Sequence, residues 1–297
     1  MRTLSLIGAP IHIGCDKRGT ELAPDRLRKC GIVELLQRHV DVVDAGNIIE
    51  PDVCEKDKFS EHPRIKYLKE IQDISRQLSH KMYNALCGET FPLVIGGDHV
   101  MGLGDVAGMA RYFGEQAGVI WFDAHGDFNT EQSSPSGNTH GMPCAALMGT
   151  CHNHLSSLAE VKVKPENIFW VGIRDLDPYE EAFAREHNLS IYRAETIRKN
   201  GMAFVIDDIL RQTTLRNINN IHFSIDVDGI DPSEAPGTGT AVPDGISTAD
   251  FRQLLHGMFA SGKIRSAELA EYNPLLDTDN ITERWCVETI DYIASLL

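Results

Sequence analysis

Four apolar runs of this sequence end in side chains that can bind a metal ion or handle a proton. His99 closes Gly-Gly-Asp-His, Asp123, His125 and Asp127 form D-x-H-x-D, Asp226 and Asp228 form D-x-D, and Glu271 opens Glu-Tyr-Asn-Pro. Alternate residues of an extended segment face the same side. Asp123, His125 and Asp127 can therefore point into one cleft, and so can Asp226 and Asp228. Four carboxylates cannot converge unpaired, because buried charge without a partner is very costly. Two divalent cations bring +4 against the −4 of Asp123, Asp127, Asp226 and Asp228. Carboxylates can bridge two cations and neutral imidazoles cannot. The economical assignment gives each cation one His and shares two of the Asp. Carboxylate-rich ligation favours Mn, Mg or Ca and imidazole favours Zn, Fe or Ni; the mixed set suits Mn²⁺ and leaves the others open. A lone D-x-D is usually a turn, and a lone D-x-H-x-D is modestly specific. Both at strand ends, with Gly-Gly-Asp-His after another strand, are hard to obtain from core packing.

The elements that must position these groups alternate regularly. Apolar runs at 3–8, 40–45, 92–96, 118–123, 167–173, 189–192, 221–226 and 265–271 read as strands. Amphipathic stretches near 23–30, 63–87, 102–115, 142–149, 178–187, 202–215, 248–260 and 280–296 read as helices. Eight strands alternating with helices imply an α/β protein with a mostly parallel sheet covered on both faces. Ligands of such sheets bind beyond the carboxyl ends of the strands, which is where the acids sit. No composition shift marks a boundary, so residues 1–297 read as a single domain. The polar segment 125–140 is long for a connection inside a compact domain, which points to function.

The 297 residues carry 28 Lys plus Arg and 43 Asp plus Glu, a net charge of −15. That balance opposes coating nucleic acid or an anionic membrane. No run approaches the roughly 18 apolar residues of a membrane span. The apolar stretch after Arg2 breaks at Gly8 and Pro10, too early for a signal segment. Seven scattered cysteines with no C-x-x-C imply no disulfide framework, hence a reducing cytoplasm. Cys144 reads as a small core residue. Gly102, Gly104 and Gly108 mimic a dinucleotide fingerprint, but their spacing is G-x-G-x-x-x-G and helix packing explains them better. Cys151-His152-Asn153-His154 reads as solvated, and His222 as a core histidine. Asp98 and Asp231 flank ligands and read as orienting them.

At these residues the sequence resembles the ureohydrolase family, most closely its arginases. The likeness is carried by GGDH (96–99), DAHGDFNT (123–130), SPSGNTHGMP (134–143), GIRDLDPYE (172–180), SIDVDGIDP (224–232), GTGT (237–240) and EYNP (271–274), and it runs over nearly the whole chain. One departure is Val100, where many members carry Ser. The resemblance implies a three-layer α/β/α fold with an eight-stranded sheet and two Mn²⁺ per subunit. One ion is then held by His99, Asp123, Asp127 and Asp226, the other by His125, Asp123, Asp226 and Asp228. It also implies a homotrimer or homohexamer.

The implied reaction is hydrolysis of L-arginine to L-ornithine and urea by a hydroxide bridging the two ions. Guanidinium is a poor electrophile, and metal binding lowers the pKa of water to about 7 in favourable sites. By resemblance Asp127 passes a proton to the leaving amine, His140 is a proton shuttle or a polar group near the substrate amine, and Glu271 holds the guanidinium with Thr240 beside it. Asn129, Ser136 and Asn138 face the α-carboxylate, and Asp177, assisted by Glu180, the α-amino group. The near alternative is another ureohydrolase, acting on agmatine or a guanidino acid. Phosphoryl transfer lacks a P-loop or a basic clamp. A non-catalytic metal binder would have no need of His140 and Glu271.

Overall fold

The computed structural model describes residues 3–15 and 17–297. Its eight strands are β1 (Thr3–Gly8), β2 (Asp41–Asn47), β3 (Phe91–Ile95), β4 (Ala117–Phe122), β5 (Ile168–Ile173), β6 (Ser190–Arg193), β7 (Asn220–Asp226) and β8 (Ile264–Ala270). They form one sheet in the order β2-β1-β3-β8-β7-β4-β5-β6, and every pairing is parallel. The expected mostly parallel sheet is thus wholly parallel. Every residue of β3, β4, β5 and β7 is buried; β3, β4 and β5 are near-continuous apolar sequences, as burial on both faces requires, whereas β7 alternates Ile221, Phe223 and Ile225 with polar residues. The edge strands β2 and β6 are half exposed.

Helices cover both faces and make three layers. On one face lie α1 (Ala23–Lys29), α2 (Ile32–Leu36), α8 (Ala194–Asn200), α9 (Met202–Leu215), α10 (Thr248–Ala260) and α11 (Ile281–Ser295). They bury Leu27, Ile209, Leu254 and Ile290 against Leu6, Ile120 and Phe223 of the sheet. On the other face α3 (Leu68–Cys87), α4 (Met101–Phe113), α5 (Pro143–Met148) and α6 (Asn153–Ser156) bury Leu78, Val106 and Leu147 against Ile7, Val94 and Trp121. Helix α7 (Pro178–Glu186) joins this layer through Phe183.

The expected helix from residue 63 begins only at Leu68, because Tyr67 takes a left-handed φ of 48°. Helices α2, α6 and α8 were not expected. At five, four and seven residues they are too short to show a 3.6-residue period.

The strand order matters most for the chemistry. The four motif-bearing strands, β3, β8, β7 and β4, are consecutive neighbours at the centre of the sheet. Their carboxyl ends stand side by side, so the groups that follow them must meet. After β3 the chain turns sharply to bring His99 back over the sheet. Gly97 has a φ of 82°, and a Cβ there would lie 2.5 Å from the Ala9 carbonyl oxygen, so only glycine fits.

Candidate metal centre and substrate cleft

His99 sits just before α4 with its ring stacked on Trp121 (centroids 4.1 Å apart, planes at 16°). Its Nδ1 lies 2.9 Å from Asp123 Oδ2, 3.0 Å from Asp226 Oδ2 and 3.1 Å from Asp127 Oδ2. Yet this buried nitrogen makes no hydrogen bond. Its Nε2 lies 2.7 Å from Ser224 Oγ. Donating the ring hydrogen to Ser224 leaves the Nδ1 lone pair facing the three carboxylates, the tautomer a cation requires. His125 Nδ1 similarly lies 3.1 Å from Asp228 Oδ2 and 3.4 Å from Asp123 Oδ1.

Two groups of possible ligand atoms result. His99, Asp123 and Asp226 form one, and Asp123, His125 and Asp228 the other; Asp123 serves both. An imidazole nitrogen and three carboxylate oxygens that converge without bonding one another fit a cation between them. Asp226 joins the first group through Oδ2, while its Oδ1 accepts the Asp228 N–H at 2.7 Å.

Backbone donors and neighbouring side chains hold the acids in place. Asp123 accepts from His125 N at 2.6 Å and from Trp121 Nε1 at 3.0 Å. Asp228 accepts from Ala124 N at 3.1 Å and from the Thr240 hydroxyl at 2.8 Å. Burial and the charges of Asp228 and Asp123 push Asp226 well above the usual carboxylate range. Burial and the charge of Asp123 push Asp127 to about 6. For Asp123 burial acts the same way, but hydrogen bonds from His125 and His99 outweigh it and hold the group low. The arrangement is short of positive charge, which divalent cations would supply.

The cleft above has Asp127, His125, Asp226 and Asp228 on its floor and His140 and Thr240 on its wall. Its rim is Asn129, Ser136, Asn138, Asp177 and Glu180. His99, Asp123 and Glu271 lie buried behind this lining. Glu271 Oε1 accepts the His99 N–H at 2.9 Å and lies 3.3 Å from His140 Nδ1. Burial opposes a charge on His140, but the hydrogen bond and charge of Glu271 prevail and raise it to about 9. Glu271 is correspondingly lowered: burial opposes its charge, and His140 outweighs burial.

On the rim, Asp177 caps α7 and Glu180 completes a capping box. Glu180 Oε1 takes the Phe128 N–H and Oε2 the Asp177 N–H, both at 3.1 Å, and burial raises its carboxyl to about 8. Its carboxylate is therefore committed to backbone, so it shapes the rim. Asn129 donates to Asp177 Oδ2 at 2.8 Å and accepts from Ser133 Oγ at 2.7 Å.

Several contributors carried no motif of their own. Arg174 donates to the carbonyls of Asp228 and Val242, each at 2.7 Å, and ties the loop after β7 to the loop below Thr240. Ser224 could have been found from its alternation with Asp226 and Asp228. Asp175, also in the lining, stood in the quoted segment GIRDLDPYE. Arg64 and Lys66, beneath the rim, gave no sequence signal.

Other expectations resolve physically. Gly104 and Gly108 lie against α3, as helix packing requires. His222 is fully buried, 2.8 Å from Ser266 Oγ, and Cys144 is a core residue. Val100 is buried in the apolar layer, and His99 hydrogen-bonds to Ser224 through its ring and to Glu271 through its backbone N–H instead. Asp98 accepts from Gly14 N and Val100 N and so orients the turn at His99. Asp231 instead binds Ser233 and Gly245, bracing a loop and touching no ligand. Among the described residues no helix is long and apolar enough to cross a membrane.

Known proteins share this architecture and part of this sequence. The chain matches the family model described as the Arginase family over residues 2–295. It is 38% identical over 290 residues to arginase from Staphylococcus aureus (strain COL), covering 97% of this chain and 96% of that protein. The crystal structure of arginase from Bacillus subtilis (strain 168) superposes with a TM-score of 0.90 at 35% identity, over 99% of this chain and 98% of that one. Entamoeba histolytica arginase in complex with L-ornithine superposes with a TM-score of 0.92 at 32% identity, over 99% and 98%.

Proposed function

The chain belongs to the arginase family, and from that premise we propose that it hydrolyses L-arginine to L-ornithine and urea. The observation that carries the reading is the pair of ligand groups sharing Asp123 on the floor of a cleft whose rim is a donor-rich loop. Two Mn²⁺ fit the oxygen-rich, thiolate-free donors. One would be held by His99, Asp123, Asp127 and Asp226, the other by His125, Asp123, Asp226 and Asp228. Bound there, the pair would supply a water acidified enough to attack a guanidinium carbon near neutral pH.

The protein's own groups do the remainder. Glu271 Oε1 is engaged by His99 and His140, so Oε2 is the oxygen left to hold the guanidinium by a charge-assisted contact. As the bond from carbon to the water oxygen forms, Asp127 holds the released proton. It passes that proton to the alkyl nitrogen as the carbon–nitrogen bond breaks. His140, held beside Glu271, exchanges protons between the cleft and solvent. Thr240 steadies Asp228 and lines the guanidinium end. Asn129, Ser136 and Asn138 receive the α-carboxylate and Asp177 the α-amino group, with Glu180 holding Asp177 in place.

The same reading carries a single domain over residues 1–297, a trimer or hexamer checkable by mass in solution, and a cytoplasmic location. Its test is urea release with and without Mn²⁺. Arginine should be hydrolysed only with metal and far faster than agmatine, which lacks the carboxylate the rim is built to bind. Equal rates on agmatine would overturn the assignment of the rim.

A further inference from the structure

Residues 64–66 run beneath the rim as a strut. Lys66 N donates to the Gly137 carbonyl at 3.0 Å, and the Arg64 guanidinium donates to the Gln132 carbonyl at 2.7 Å. Lys66 itself is only 5% exposed. Its Nζ passes 5.9 Å from the Phe59 ring centroid and donates to Asn138 Oδ1 at 2.5 Å.

A carboxamide has one accepting and one donating end, and an ammonium can only donate. Flipping Asn138 would set its NH₂ against the Lys66 ammonium, two donors facing each other with a charge-assisted bond lost. Lys66 therefore fixes which end of Asn138 is left for the cleft, and that end is the donor Nδ2. Among the described residues Nδ2 has no partner. The Asn129 amide, by contrast, is already engaged by Asp177 and Ser133. Of the two rim asparagines, Asn138 is the one with its whole donor end available.

We propose that Lys66 is a positioning residue for substrate selection: it locks the Asn138 carboxamide with its donor end toward the cleft, so that the rim binds a substrate carboxylate. The inference rests on the arginase reading above and adds a specificity determinant to it. Lys66 touches no reacting atom in this scheme, so it should act on binding and leave the chemical step alone.

The test is Lys66→Met in the Mn²⁺-loaded full chain, which keeps an unbranched apolar stem and removes the donor. KM for L-arginine should rise about tenfold while kcat stays within about twofold, the signature of lost ground-state binding. In an Asn138→Ala background the same substitution should change KM little further, since its target is gone. A fall in kcat at unchanged KM, or a full KM effect persisting without Asn138, would overturn the proposal. If Lys66→Met does not fold, Asn138→Asp with Lys66 intact serves instead. It keeps an oxygen toward Lys66 and replaces the donor with an acceptor, so KM must rise at least as much, and an unchanged KM overturns the proposal. Absence of urea from the wild-type protein would overturn the arginase reading instead.

Discussion

In the metal-free protein, the charge on His140 should make the fold less stable as pH rises. The ring is 19% exposed, and its Nδ1 lies 3.3 Å from Glu271 Oε1. Burial disfavours the imidazolium, the Glu271 carboxylate favours it more strongly, and the folded-state pKa stands at about 9 against 6.5 for the free side chain. A raised pKa means the folded state binds the proton more tightly. Its contribution is therefore fully present below pH 6.5 and is lost as pH climbs through 9. An interval of about 2.5 pH units corresponds to about 3 kcal/mol, an upper bound for a pair with some solvent access. The lowered pKa of Glu271 describes the same pair and adds nothing further. Urea-induced unfolding of chelator-treated protein should be followed at pH values from about 6 to about 10, for wild type and for His140→Asn. The stability difference between the two should shrink by up to about 3 kcal/mol across this window. Taking the difference removes other groups that titrate there, Glu180 among them. Glu271→Gln should lower the ring's pKa, because burial is then opposed only by the charges of Asp127 and Asp98. A wild-type-minus-variant difference that is flat, or that grows with pH, would refute the claim that Glu271 outweighs burial.

Two further outcomes bear on the site and on its support. Asp123→Ala should cost the protein both cations, because Asp123 belongs to both groups of ligand atoms, whereas His125→Ala should cost about one. Counting metal per chain by mass spectrometry distinguishes them, and two ions retained in the Asp123 variant would sink the shared-ligand assignment. Gly104→Ala and Gly108→Ala should both lower the melting temperature, although alanine favours a helix by about 1 kcal/mol over glycine. An added Cβ would lie 2.7 Å from Leu78 Cβ and Ser75 O at the first position, and 2.5 Å from Ser79 O at the second. Backbone cannot rotate away, so α3 and α4 must separate at a cost of about 1–3 kcal/mol per site. A raised melting temperature in calorimetry would show the contact to be looser than this.

Legibility from sequence followed the range of the interaction. The strands were readable because β3, β4 and β5 are near-continuous apolar runs and β7 alternates apolar with polar residues, both local patterns. The candidate ligands were legible as spacings, D-x-H-x-D and D-x-D, but not for the reason of extended chain: Asp123 to Asp127 lie beyond β4 with Asp127 at a φ of 55°, and Val227–Gly229 form a 3-10 turn. Convergence of the four motifs depended on strand order, and that is not local. Nothing in the runs themselves states that β3, β8, β7 and β4 are consecutive neighbours; the parallel pairings show it. The supports were least legible. Lys66 meets Asn138 across 72 residues, and Arg174 meets Val242 across 68, with no spacing rule joining either pair. Lys66 also lay inside a stretch read as helix, and only the left-handed turn at Tyr67 frees it to point beneath the rim.

The backbone at Asp127 and Glu271 gives an independent physical reason to place chemistry there. Both are non-glycine residues at left-handed φ, 55° and 63°. Such a conformation costs an L-residue roughly 1–2 kcal/mol. The remaining described non-glycine cases are Tyr67 and Glu89 and five Asn or Asp residues, Asn188, Asn217, Asp244, Asp279 and Asn280, short polar types that tolerate the geometry in turns and at helix ends. Asp127 and Glu271 differ from those five in being buried, as does Tyr67 where α3 begins, and Glu271 also in carrying a longer side chain. A glycine at either position would relieve the backbone and delete the carboxylate. The strain is instead held by surrounding bonds: Cys144 N donates to the Asp127 carbonyl at 2.9 Å, and Glu271 N donates to the Gly97 carbonyl at 2.8 Å. Those two bonds tie the residues to α5 and to the glycine turn that carries His99. Strained backbone over-determined by its neighbours concentrates at functional sites. Here it falls on the two carboxylates assigned to proton transfer and to holding the guanidinium, and it fixes their direction before any ligand arrives.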